Sequence, residues 1–178
     1  MRGNIMKKIV ILLLSALILL PLSVYPETLQ EAYNNAIPSI GYNRLLELDP
    51  GTVYIGGITI FSGIIGIRGN GAIIDLQGGS ISVAGEAQLE IDGCIIINGA
   101  NGLLMQDQVS AYVTHCTFYG NQVGISYMVT GGLLEVSNSI LAFNTQYGLT
   151  CDEGSSVILH YLDAYQNAQG DYMKWCSG

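Results

Sequence analysis

"VSNSILAFNTQYGL", residues 136–149, decides the fold through two of its members, Asn144 and Gly148. Asn121, Asn144 and Asn167 lie 23 residues apart, twice over. Gly102, Gly124, Gly148 and Gly170 follow at steps of 22, 24 and 22. Fixed spacing of this size is the mark of a repeat architecture. Four segments align on Ile91, Val113, Val136 and Leu159, with Leu89, Ala111, Leu134 and Val157 two residues earlier. Five residues after the anchor stand Ile96, Phe118, Leu141 and Ala164. From "RLLELDPG" onward, short Ile-, Val- and Leu-rich runs are broken by Gly, Asn and Ser, which is strand chemistry with frequent turns and no room for helices.

A period of 22 or 23 made of short strands and corners is one coil of a single-stranded parallel β-helix, a solenoid that stacks like residues inside. Two residues after the anchor come Gly93, His115, Asn138 and Tyr161; the first three tolerate a left-handed backbone and predict a sharp corner. Asn144 and its equivalents suit a second corner, either in the left-handed region or as hydrogen-bonding amides stacked from coil to coil. Gly148 and its equivalents are expected to let the chain turn again before Leu149, which matches Leu103 and Ile125. Cys94 and Cys116 share one position in successive coils, continued by Ser139 and Leu162, and read as a small inward ladder.

Residues 1–26 place Arg2, Lys7 and Lys8 before an apolar run from Ile9 to Leu20, the pattern of a secretory signal peptide, with an uncleaved N-terminal anchor as the alternative. Beyond that leader three basic residues, Arg44, Arg68 and Lys174, face fourteen acidic ones, a formal charge of −11. Nucleic acid is a poor partner for such a surface, and membrane contact is expected only through an uncleaved leader. The four cysteines allow three pairings in an oxidising compartment, and the spacing does not choose among them. Residues 27–50 read as an N-terminal cap, with a helix from Thr28 to Ile37 opened by a Thr28–Glu31 capping box and stopped by Pro38. Residues 51–178 are the coils.

"TLQEAYNNAI", "LELDPGTVYIGG" and "GIRGNGAIIDLQGG" resemble the entry of right-handed parallel β-helix proteins of the pectin-lyase-like superfamily. "CTFYGNQVGI" and "SNSILAFNTQYGL" look like their generic repeats. The resemblance spans roughly residues 28–178 and implies a right-handed solenoid with a short helix capping its first coil. The tail "LHYLDAYQNAQGDYMKWCSG" is similar to an internal segment of large secreted bacterial β-helix proteins, which implies further coils beyond it. Fold likeness of this kind does not assign an activity.

A lyase needs carboxylates to hold calcium and a base to take a proton, so Ca2+ enters only under that reading. No basic residue is expected beside a carboxylate cluster on the central coils. A hydrolase needs two facing carboxyls; Asp163 and Asp171 offer the best spacing, while Asp152 and Glu153 sit in a turn. The "NTD", "DD" and "GHG" motifs of the polygalacturonase-like hydrolases are missing, "NTQ" at Asn144 to Gln146 lacking the acid. His115 reads as a corner residue and His160 as isolated; no metal site or cofactor is indicated. Tyr119 and Tyr165 follow inward positions and should face outward two coils apart, where aromatic faces suit stacking on sugar rings.

These observations give a secreted or cell-surface scaffold, non-catalytic as it stands, that binds polysaccharide or another cell-envelope glycan. A pectin-type lyase or hydrolase with its catalytic coils missing is the alternative, and an adhesin-like passenger a third. The final coil is expected to be left open, because "DYMKWCSG" is too short for a capping helix or hairpin, and so to promote self-association.

Overall fold

The computed structural model describes residues 26–128 and 131–176. The leader at residues 1–26 therefore lies outside the described residues except for Pro26. Among the described residues one helix, α1 (Leu29–Asn35), precedes a stack of short parallel strands wound into a right-handed solenoid of about six turns. Thr28 accepts from the Glu31 amide, and the Glu31 carboxylate accepts from the Thr28 amide, so the capping box closes as expected. The helix stops two residues short of Ile37, which opens a strand, Ile37–Ser39, and is 73% exposed. Pro38 accounts for this, since the residue before a proline is driven out of the helical region.

Six three-residue strands, from Val53–Ile55 to Asp163–Tyr165, form one sheet, called sheet A. The second, eleven-stranded sheet supplies the other two walls of the solenoid. Its wall before sheet A begins at Tyr42–Glu47, which pairs in parallel with Ile58–Arg68. Winding therefore starts inside the 27–50 segment read as a cap. The pairing Ile91↔Val113↔Val136↔Leu159 follows the aligned anchors, as does Ile96↔Phe118↔Leu141↔Ala164 in sheet A. Every member but the last of each column is buried. Leu159 and Ala164 are only partly covered, and among the described residues their strands pair on one side only.

Gly93, His115, Asn138 and Tyr161 all take positive φ, between 48° and 68°, so the first corner is left-handed in all four coils. At the second corner the left-handed residue stands one position before the asparagine, at Gly120, Phe143 and Gln166, and before Gly99 in the preceding coil, at Asn98. The asparagines instead point inward and form the amide ladder. Asn144 Oδ1 accepts from the Asn121 amide at 3.0 Å, and Asn144 Nδ2 donates to the Phe118 carbonyl at 3.3 Å and to Asn167 Oδ1 at 2.8 Å. Gly124 and Gly148 do not turn the chain through positive φ. They permit close approach: a Cβ would come within 2.5 Å of the Gly148 carbonyl oxygen and 2.6 Å of that of Asp171, respectively.

The tail closes in a way that chain length alone did not suggest. A Cys151–Cys176 disulfide joins backbones 5.3 Å apart at Cα, Cys176 is buried, and Met173 packs on the core. A covalent tie does part of what eight residues could not do by packing. Val157, Leu159, Leu162 and Ala164 nevertheless stay only partly buried.

Candidate functional site

Alternation along sheet A fixes which groups face solvent. Phe118 and Ala164 point inward, so Tyr119 and Tyr165 point outward, 49% and 42% exposed. Between them in register lies Ala142, whose methyl leaves a gap in the outer surface. Phe143, from the following corner, fills it. Its ring centroid is 5.4 Å from that of Tyr119 and 5.3 Å from that of Tyr165, tilted to the first and edge-on to the second. Three half-exposed rings thus form a ladder along the solenoid axis.

Phe143 holds φ at 56°, in a corner column where Asn98, Gly120 and Gln166 of the neighbouring coils also take positive φ. A bulky side chain in that region is strained by roughly 1–3 kcal/mol, and such strain concentrates at functional sites. The sequence alignment found both tyrosines but not Phe143, whose place belongs to turn-forming residues. An aromatic where Asn98, Gly120 and Gln166 stand in the neighbouring coils was the signal. The same sheet face exposes Val53, Ile95 and Ile140.

Asp163 and Asp171 lie on different sheets. Asp171 ends the amide ladder, its Oδ1 accepting from Asn167 Nδ2 at 2.8 Å. It stands opposite Gly148, in the glycine column, and its carboxylate supplies the acceptor that a further asparagine would.

A second feature lies on the wall before sheet A. A cleft of about 120 Å³ runs between Tyr42, Arg68, Glu90, Asp92, Tyr112 and Thr114. Gly66 lets the Tyr42 ring lie across the strand, since a Cβ there would meet that ring at 2.9 Å. The Tyr42 hydroxyl donates to Glu90 at 2.6 Å, which raises the phenol above its ordinary range. Asp92 Oδ1 accepts from Thr114 Oγ1 at 2.7 Å and meets His115 Nδ1 at 2.8 Å. The Thr114 bond is the main cause of a lowered Asp92 carboxyl, and His115 and Arg68 add to it. Arg68 also pairs with Glu47 at 3.7 Å. Arg68 and His115 are therefore grouped with carboxylates, contrary to the expectation that no base stands beside an acid cluster. Pairing of outward residues one coil apart creates the group, and the corner role of His115 is kept alongside it.

Cys94 and Cys116 are free, buried and inward. The Cys116 thiol donates to the Thr114 carbonyl at 3.1 Å, and its hydrogen bond to Cys94, together with burial, pushes the Cys94 thiol upward. A protonated, buried thiol is inert, so the pair packs rather than reacts. A cavity of about 550 Å³ lies at the cap between α1 and the first coil, lined by Ala36, Pro38, Leu45, Leu48, Glu47 and Asp49. Among the described residues no group of three or more His, Cys, Asp or Glu is placed to hold a metal ion, and no helix is long and apolar enough to cross a membrane.

Comparison with known families matches residues 57–174 to the family described as the right-handed beta helix region. No curated protein and no solved structure matches the chain. The matched segment covers most of the chain and most of the stacked coils, and the pectin-lyase-like resemblance is consistent with it. The chain belongs to the right-handed β-helix family.

Proposed function

We propose that the protein is an exported, non-catalytic solenoid that binds polysaccharide at a cell surface or in the extracellular space. The observation that carries this reading is the Tyr119–Phe143–Tyr165 ladder: three exposed rings in a row, one held against its own backbone preference. Rigid aromatic faces supply large contact area and stack on the apolar faces of sugars. Export is supported by the charge pattern of residues 1–26 and by the Cys151–Cys176 disulfide, a bond that persists in oxidising compartments. Affinity electrophoresis through polysaccharide gels tests the reading. The full chain, exported by an expression host, is expected to be retarded, and Phe143→Asn to run freely while keeping its thermal transition. Equal retardation of the two proteins would remove the ladder from the account.

The cleft at Arg68, Glu90 and Asp92 favours a second reading, a polysaccharide lyase or hydrolase. Under it, incubation with polygalacturonate and calcium should generate unsaturated products or reducing ends, and Asp92→Asn should abolish them. The first reading expects neither product above a blank.

A further inference from the structure

We infer that the ladder selects neutral glycans, lying parallel to the solenoid axis, over uronate-bearing, sulfated or phosphorylated ones. This rests on the ladder being a glycan site. The first ground is charge. The outward positions of sheet A carry two carboxylates, Asp75 and Asp163, and no Lys, Arg or His among the described residues. Asp163 stands two residues before Tyr165 on the same strand face. The three basic residues beyond the leader are engaged elsewhere. Arg44 donates to the Tyr33, Asn34 and Ala36 carbonyls at the end of α1, Arg68 pairs with Glu47, and Lys174 lies 4.3 Å from the Trp175 ring centre. An anionic chain would meet a carboxylate at the ladder and a surface with a formal charge of −11, with no cation to offset either.

The second ground is direction. The rings belong to successive coils, so their 5.4 and 5.3 Å steps run along the axis, each comparable to the length of one sugar ring in an extended chain. The platform continues along sheet A through exposed Ile95 and Val53, which offer apolar contact and no hydrogen bonds or charge. Neutral pyranose chains present alternating apolar faces that fit such a surface; polyanions do not.

The test is affinity electrophoresis of the exported full chain through hydroxyethyl cellulose, glucomannan, xylan and polygalacturonate, each at low and high salt. Retardation by at least one neutral polymer is expected, unchanged by salt, with none on polygalacturonate. Tyr119→Ala and Tyr165→Ala should each weaken it about five- to tenfold, with thermal transitions retained. Retardation by polygalacturonate alone, lost in these variants, would keep the ladder as a glycan site and overturn its neutral selectivity. No retardation on any polymer, or retardation that both variants leave intact, would overturn the ladder reading and this inference together.

Discussion

The Asn144 side chain makes three hydrogen bonds with buried partners, so replacing it strands groups that water cannot reach. Asn144→Ala should cost about 2–4 kcal/mol in a denaturant melt, since each unsatisfied buried group costs roughly 1–3 kcal/mol. Asn138→Gly, at a left-handed corner, should be nearly neutral by comparison. A periodic asparagine was legible as architectural, but which of two roles it filled was not, because left-handed corners and amide ladders use the same residue. Titration adds a second residue-scale prediction. The Thr114 hydroxyl holds Asp92 below its usual range, so the folded pKa lies under the unfolded one. The stabilisation is therefore complete above the unfolded value, about 3.9, and fades as pH falls through the depressed folded value. Thr114→Val should be less stable than the wild type at neutral pH, with the gap closing in acid. A gap that persists at the lowest pH would mean that Asp92 is not the group responsible.

At the scale of elements, the inward columns carry the stability and the outward face of sheet A carries the proposed site. Phe118 is fully buried between Ile96 and Leu141, so Phe118→Ala should cost about 3–5 kcal/mol by calorimetry or urea unfolding. A loss below about 1 kcal/mol would mean that the column is not close-packed. The columns were readable because a coil of 22 or 23 residues repeats its inward positions in sequence. The place of Phe143 stood out in the sequence, but its role was not readable, since that depends on the gap above Ala142 and on rings from two other coils. The Arg68–Asp92–His115 group escaped for a related reason: its members meet across strands, with Asp92 and His115 separated by 23 positions in the chain. Sequence spacing alone set Asp163 and Asp171 side by side as candidates, whereas the stack puts them on separate sheets.

For the molecule as a whole, the last described coil is the part of the stack with the least cover. The Cys151–Cys176 bond covers part of the last coil, and Cys176→Ser should lower stability by about 2–4 kcal/mol. Val157, Leu159 and Ala164 remain partly exposed there, beside strand edges that have no partner among the described residues. We propose self-association through this end: sedimentation should show concentration-dependent dimers or larger species, and Leu159→Lys should reduce them. A wild-type monomer at high concentration would show that the tied tail is cover enough. The central claim, that the aromatic ladder is where glycan binds, is met most directly by NMR during titration with a retarding polysaccharide's oligomers. Shifts concentrated on the rings of Tyr119, Phe143 and Tyr165, with His115 unmoved, are predicted. Shifts centred on Tyr42, Tyr112 and His115, with the ladder rings unchanged, would contradict it.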